Sequence, residues 1–391
     1  MKIMFIRNRN VLNTKWLVQY INALQQARPD YEIEVVCDTY KKVGSELTFD
    51  EKVRLINLDG KTDNPLINIF HRIRCKITPG WFRHKKLIEK ENPDVIVCYF
   101  PTDLFNVTMF QHHNIPIIMM LHNVPDVILG KYKNNPIDAT FDDLHKEIQP
   151  LRWFHHQTFK QVSVWQVLLS SFKPLLDKEF APKKIVAIPN MVQQLSPQDY
   201  ADLSVEKKKI IYVARIERDV KRQHRLVEAF GKVAKDFPDW SVEFWGLHKY
   251  PKYGEEIMAI AHYYNIQDRV FIKGYTTDIL SVYKNADIHA FPSKYEGFGL
   301  GIADGQASGL PTLGFAEAPA VNELIIDGHN GFLASDMEDF ADKLAILMKD
   351  KELRIKFGRN AIEDVKAFAP DNVIRMWTKL LDETVAEKQN A

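Results

Sequence analysis

Two blocks of alternating strand and helix patterns, separated by a polar stretch, limit the folds open to this 391-residue chain. In the first block, short apolar runs at Lys2–Ile6, Glu32–Cys37, Val95–Tyr99, Ile117–Leu121 and Val164–Leu169 read as strands. Val11–Gln26 has the period of an amphipathic helix. In the second block, Lys209–Ala214, Ser241–Trp245, Val270–Ile272, Ile288–Phe291 and Thr312–Phe315 read as strands, with helices at Arg222–Lys235 and Gly254–Tyr264. Strands that are apolar along their whole length are buried on both faces, as in parallel sheets covered by crossover helices. The fold class is therefore α/β, with two doubly wound Rossmann-like domains. The break runs from Ile188-Pro189-Asn190 to Lys207-Lys208, a polar segment without periodicity. It places the domains at 1–190 and 191–370, with a tail at 371–391. Within that tail, Val373, Ile374, Trp377, Leu380, Leu381 and Val385 form one apolar helical face. Either domain can cover it, and a return onto the first is one of the two choices. Ligands of open α/β sheets bind beyond the carboxyl ends of the strands, so two such edges facing each other would make a cleft that can close.

Composition removes several function classes. Lys plus Arg (52) nearly cancel Asp plus Glu (51), unlike a generic nucleic-acid binder. Cys37, Cys75 and Cys98 contain no C-x-x-C, which argues against a disulfide scaffold or zinc cluster and suits a reducing cytoplasm. No apolar stretch approaches the roughly 18 residues of a spanning helix. The expected location is cytoplasmic, with association at the inner face of the cell membrane as the peripheral option. The charge is unevenly divided. Residues 1–190 hold 26 basic and 20 acidic side chains, and the rest hold 26 and 31. His71–Lys86 mixes six Lys and Arg residues with Ile, Trp and Phe, which reads either as a solvated loop or as a contact with an anionic membrane. Trp153-Phe-His-His156 reads as a helix face and not as a metal site.

The chemistry concentrates in two segments. In Phe291-Pro-Ser-Lys-Tyr-Glu296-Gly-Phe-Gly-Leu-Gly-Ile-Ala-Asp304, a strand ends, a glycine-bearing loop follows, and a short helix starts near Gly301 and runs to Ser308. Gly297 and Gly299 let backbone N–H groups point outward, and the helix N-terminus adds partial positive charge, a combination suited to phosphate. Glu296 and Asp304 would repel a phosphate, so hydroxyl groups are their natural partners, with a ribose held by paired hydrogen bonds. In Val213-Ala214-Arg215 through Lys221-Arg222-Gln223, Arg215 stands where a strand runs out and Lys221 where the next helix begins. Arg offers phosphate a planar fork and Lys a mobile point charge.

Together these segments resemble the donor-binding domain of retaining glycosyltransferases of the GT-B fold, in the large family four. The resemblance rests on Val213-Ala214-Arg215, Lys221-Arg222-Gln223, Glu296-Gly-Phe-Gly-Leu300 and an acid eight residues after Glu296. Supporting matches are Arg269–Tyr275, Tyr283–Asp287, Ala307–Pro311, Asn322-Glu323 and Asp327–Gly331. It is close over about half the chain and weaker over the first domain. The resemblance implies that Arg215 and Lys221 hold a donor diphosphate and that Asp304 binds ribose hydroxyls. It places Glu296 near the donor sugar, with backbone groups of Phe298, Gly299 and Leu300 facing sugar or phosphates. It also implies that His122, after the strand Met119-Met120-Leu121, lies near the scissile bond, where a His can hydrogen-bond a sugar hydroxyl or stabilise charge. His122, Glu296, Arg215 and Lys221 are thus the expected catalytic set.

There are departures from the family pattern. Asp304 is one methylene shorter than the usual Glu, and Gly305 replaces the usual Ala, which should weaken the helix. The first loop has no Gly-Gly pair. There Asn13 or Thr14 is a candidate helix cap, and Arg7 or Arg9 a candidate phosphate contact. The implied activity is transfer of a sugar from a nucleotide-diphosphate sugar, UDP-linked by default, to a glycan or lipid-linked acceptor, with retention and without a metal or other cofactor. The alternatives are a non-catalytic GT-B partner subunit or a sugar-nucleotide epimerase.

Overall fold

The computed structural model describes residues 1–7, 14–37, 48–58, 80–99, 101–108, 114–125, 158–180, 182–248 and 250–389. These form two compact units. One contains the described residues up to Met191 together with the chain from Pro370 onward, and the other spans Val192–Ala369.

The first unit contains β1 (Lys2–Arg7), α1 (Lys15–Ala27), β2 (Glu32–Cys37), β3 (Arg54–Asn57), α2 (Gly80–Glu91), β4 (Val95–Cys98), α3 (Pro101–Thr108), β5 (Ile117–Leu121), β6 (Val164–Val167), α4 (Lys173–Phe180) and β7 (Ile185–Ala187). Its seven strands are parallel, in the order β3-β2-β1-β4-β5-β6-β7. The central strands are buried throughout: Ile3 to Ile6 on β1 and Val95 to Cys98 on β4. That is why they read as unbroken apolar runs.

The second unit contains β8 (Lys209–Val213), α5 (Gln223–Val233), β9 (Ser241–Trp245), α6 (Pro251–Tyr263), β10 (Val270–Gly274), α7 (Ile279–Lys284), β11 (Ile288–Phe291), α8 (Leu300–Ala307), β12 (Thr312–Phe315), α9 (Val321–Leu324), β13 (Gly331–Ala334), α10 (Met337–Lys349) and α11 (Lys351–Val365). Its parallel order is β10-β9-β8-β11-β12-β13. In both sheets the strand order reverses beside the first strand, between β1 and β4 and between β8 and β11. That reversal opens a crevice at the carboxyl ends, where such sheets take ligands.

Three strands went unrecognised in the sequence: β3, β7 and β13. All three are sheet edges. An edge strand is only partly covered, so it needs no continuous apolar run, and β3 and β7 contain no fully buried residue.

The helix α12 (Pro370–Gln389) joins the first unit. It buries Val373, Ile374, Trp377, Leu380 and Leu381 in the core built around Ile3, Phe5, Leu17 and Ile21. The Trp377 and Tyr20 rings lie 5.1 Å apart. Asp382 accepts from the Tyr31 hydroxyl and from Arg28, both at 2.6 Å. These polar contacts fix the register of a helix that hydrophobic burial alone would leave free to slide.

Of the basic stretch 71–86, residues 71–79 lie outside the described residues. The remainder opens α2 as helix instead of loop, with the Lys86 ammonium 4.7 Å over the Phe82 ring. The run 153–156, Asn13 and Arg9 also lie outside them. Among the described residues no helix is long and apolar enough to cross a membrane. Among them, too, no group of three or more His, Cys, Asp or Glu side chains is placed to hold a metal ion.

Candidate functional site

The chemistry-bearing residues of the second unit gather where its strand order reverses. After β8, the loop to α5 carries Arg215 and Lys221. Lys221 does not start the helix, since α5 begins at Gln223. Arg222 between them adopts φ 52°, a left-handed conformation unusual for a non-glycine residue. The fully buried Gln223 amide clamps this loop. Its Nε2 donates to the Arg215 carbonyl at 2.8 Å, and its Oε1 accepts from the Glu217 N–H at 3.2 Å. The half-exposed Arg215 guanidinium lies 3.1 Å from the buried Glu217 carboxylate. The contact is an ion pair without a hydrogen bond, since neither Glu217 carboxylate oxygen has a hydrogen-bond partner among the described residues.

After β11, the loop to α8 brings Glu296 directly onto Lys221. The ammonium donates to both carboxylate oxygens, at 2.6 and 2.7 Å, and both side chains are nearly buried (13% and 11% exposed). Spacing alone assigned Lys221 to phosphate and Glu296 to hydroxyls as separate elements; here they form one ion pair. Ser293 Oγ donates to Glu296 Oε1 at 2.7 Å, and the Tyr212 hydroxyl lies 2.6 Å from Ser293 Oγ. Burial and the Glu296 charge push the Tyr212 phenol well above its usual pKa, so it stays protonated.

Gly299 takes φ +92° as the residue before α8, a conformation that side chains rarely adopt. The Phe298 side chain is buried, edge-on to Phe368 at 5.2 Å, so only its backbone can meet a ligand. Along α8, Ile302, Ala303, Gly305, Gln306 and Ala307 are buried. Leu300, Gly301 and Asp304 make the less buried stripe, one turn apart. Asp304 thus shares its face with the helix N-terminus.

Gly305 is not the weak point expected of a glycine in a helix. A Cβ there would stand 2.3 Å from Nδ1 of His289 on β11. The His289 ring is fully buried, and Nε2 accepts from the Val213 N–H at 3.4 Å. Burial lowers its pKa to about 3. The missing methyl makes room for a neutral imidazole beneath the helix.

In the first unit, the equivalent crevice is lined differently. The His122 ring stacks on Trp16 of α1, with centroids 3.8 Å apart and planes 21° apart, and lies 5.1 Å from the Tyr99 ring. Arg7 is buried over that same Tyr99 ring at 4.9 Å. Burial lowers the His122 pKa to about 3, so the ring is neutral near pH 7. It can hydrogen-bond a hydroxyl but carries no charge for stabilising an intermediate. Thr14 precedes α1, but its side chain makes no capping hydrogen bond.

The structure therefore gathers Lys221 and Glu296 in direct contact and places Arg215, Gly299, Leu300 and Asp304 on the adjoining loops and helix. His122 belongs to the other unit. Sequence reasoning assigned no role to Tyr212, Ser293, Gln223, Trp16 and Tyr99. Ser293 and Gln223 stood inside the motifs and Tyr212 in the strand before Val213, but only contacts reveal what they hold.

Residues 200–364 match the family described as glycosyl transferases group 1. The poly(glycerol-phosphate) alpha-glucosyltransferase of Bacillus subtilis is 28% identical over 194 residues, covering 48% of this chain and 28% of that protein. The chain thus spans under a third of that relative's length. Among solved structures, sucrose-phosphate synthase from Thermosynechococcus elongatus superposes with a TM-score of 0.75 at 17% identity, covering 99% of this chain and 100% of that one. The Anabaena protein HepE, in complex with UDP and glucose, gives a TM-score of 0.70 at 17% identity, covering 98% and 100%. The strand orders and these likenesses converge: the chain has the GT-B fold, and much of its second unit matches the glycosyl transferases group 1 family.

Proposed function

We propose that this protein is a glycosyltransferase. In this reading it moves a hexosyl group from a nucleotide-diphosphate sugar, UDP-linked by default, to a glycan or lipid-linked acceptor of cell-envelope synthesis, with retention of configuration. The observation that carries the reading is the meeting of Arg215, Lys221 and the N-terminus of α8 around the reversal point of the second sheet. Backbone N–H groups at a helix start and two cations are what a diphosphate needs. The family match over 200–364 supports the same reading, and the named B. subtilis relative supports an envelope-polymer acceptor.

The chemistry follows from the charge. As the glycosidic bond breaks, negative charge grows on the departing diphosphate. Arg215, Lys221 and the α8 amides are fixed beforehand where that charge develops, which lowers the barrier. The same diphosphate helps to take the acceptor proton. In the proposed mechanism these groups do the work of a divalent metal. Asp304 holds the ribose and Glu296 addresses the donor sugar. His122, being neutral, contributes a hydrogen bond only.

The test is direct. The purified protein, given UDP-sugars and envelope-type acceptors, should transfer sugar only when both are present. Lys221→Ala should abolish most transfer, and Asp304→Asn should weaken donor affinity. Unimpaired transfer by Lys221→Ala would sink the diphosphate assignment. Conversion of the donor without acceptor would favour an epimerase, and neither transfer nor hydrolysis would favour a non-catalytic subunit.

A further inference from the structure

We propose that Ser293 and Tyr212 are positioning residues that set the orientation of the Lys221–Glu296 pair toward the donor. The proposal rests on the donor-site reading above and deepens it. A carboxylate only accepts hydrogen bonds, so the single Ser293 proton is committed to Glu296 Oε1 at 2.7 Å. Ser293 Oγ can then only accept from Tyr212, whose hydroxyl is the donor at 2.6 Å. The proton order is therefore fixed: Tyr212 to Ser293, Ser293 to Glu296, with Lys221 donating to both carboxylate oxygens. Tyr212 and Ser293 are fully buried at the ends of β8 and β11, so the chain of bonds is anchored in the sheet.

The donor and acceptor count gives the relay its purpose. A carboxylate offers about four lone-pair positions and an ammonium three protons. Ser293 and Lys221 fill Oε1, and Lys221 takes one position on Oε2. Among the described residues, one position on Oε2 and one Lys221 proton remain for a ligand. The relay fixes which ones, since a carboxylate bound at Oε1 from two directions cannot rotate. The donor then meets one acceptor for a hydroxyl and one proton for a phosphate oxygen, already aimed. Without Ser293 the pair would persist, because opposite charges hold it, but its direction would be lost. Misdirection costs the transition state more than ground-state binding, because only the transition state needs the full geometry.

The experiment measures UDP binding by calorimetry and steady-state transfer for Ser293→Ala, Tyr212→Phe, Lys221→Ala and Glu296→Ala, and for Ser293→Ala in the Glu296→Ala background. Ser293→Ala should lower kcat about tenfold, the scale of one hydrogen bond to a charged group, while UDP affinity moves less than about threefold. Tyr212→Phe, which removes one oxygen and little volume, should act in the same direction by about threefold. In the Glu296→Ala background, Ser293→Ala should have no further effect on kcat, a readout that a general folding defect would not give. Equal losses in both backgrounds, or an unchanged kcat in Ser293→Ala, would overturn the relay alone. If Lys221→Ala and Glu296→Ala bind UDP and transfer sugar as the parent does, the donor-site reading falls, and the relay with it.

Discussion

The two sheets share a strand order but differ at the point where that order reverses. In the first unit the crevice is lined by stacked rings: Trp16, Tyr99 and a neutral His122, with Arg7 buried over Tyr99. In the second it is lined by charge: Lys221 on Glu296, and Arg215 beside Glu217. The fold thus supplies the same crevice twice, and side chains decide its chemistry. An edge that holds two cations beside fixed amides suits a diphosphate. An edge lined mainly by aromatic rings suits sugar rings, whose faces are apolar and whose hydroxyls need only hydrogen bonds.

The largest effect should come from breaking the first unit without touching the second. Trp377→Ala removes a buried ring from α12, and large-to-small changes of this kind cost about 3–5 kcal/mol. Calorimetry should show an early transition for the first unit while UDP binding by the second persists. Next is Lys221→Ala, which should lower kcat about a hundredfold, as loss of one preorganised charge-stabilising group does. His122→Asn keeps a hydrogen-bonding group in the other crevice and should cost much less. Gly305→Ala should destabilise the second unit by about 1–3 kcal/mol through overpacking against His289. The same change made with His289→Ser should cost almost nothing, which thermal melts of the four variants will decide.

The smallest effect concerns pH. His122 and His289 both have folded pKa values of about 3, below the unfolded value of about 6.5. The unfolded chain therefore binds protons first, and stability falls as pH drops from 6.5 toward 3. At pH 5.5 each His should contribute about 1 kcal/mol of this loss. Denaturant midpoints measured along this range should flatten in His289→Gln for the second unit and in His122→Asn for the first. Unchanged slopes would mean that neither ring is neutral through burial.

The segments 213–223 and 291–304 stood out in the sequence, because Gly, Arg and Lys at fixed places are what a phosphate-binding loop would need. The pairing of Lys221 with Glu296 was not legible. These residues are 75 apart in sequence, and only the adjacency of β8 and β11 brings them together. Gly305 misled for the same reason. Helix propensity is local, whereas the atom that forbids a methyl there belongs to a neighbouring strand. The edge strands β3 and β7 escaped because they are too exposed to need an apolar signature.

The sequence by itself determined two parallel α/β units, the polar break between them and the loops of the second that carry Gly, Arg and Lys. Each of these depends on residues close together in the chain. Tertiary structure alone decided that α12 returns to the first core, that Ser293 and Tyr212 stand behind Glu296, and that His122 and His289 are neutral. The apolar face of α12 could be satisfied by any complementary surface, so its pattern named no partner. The Trp377–Tyr20 contact and the Asp382 bonds to Tyr31 and Arg28 choose one, because aromatic packing and hydrogen bonds are directional where burial is not.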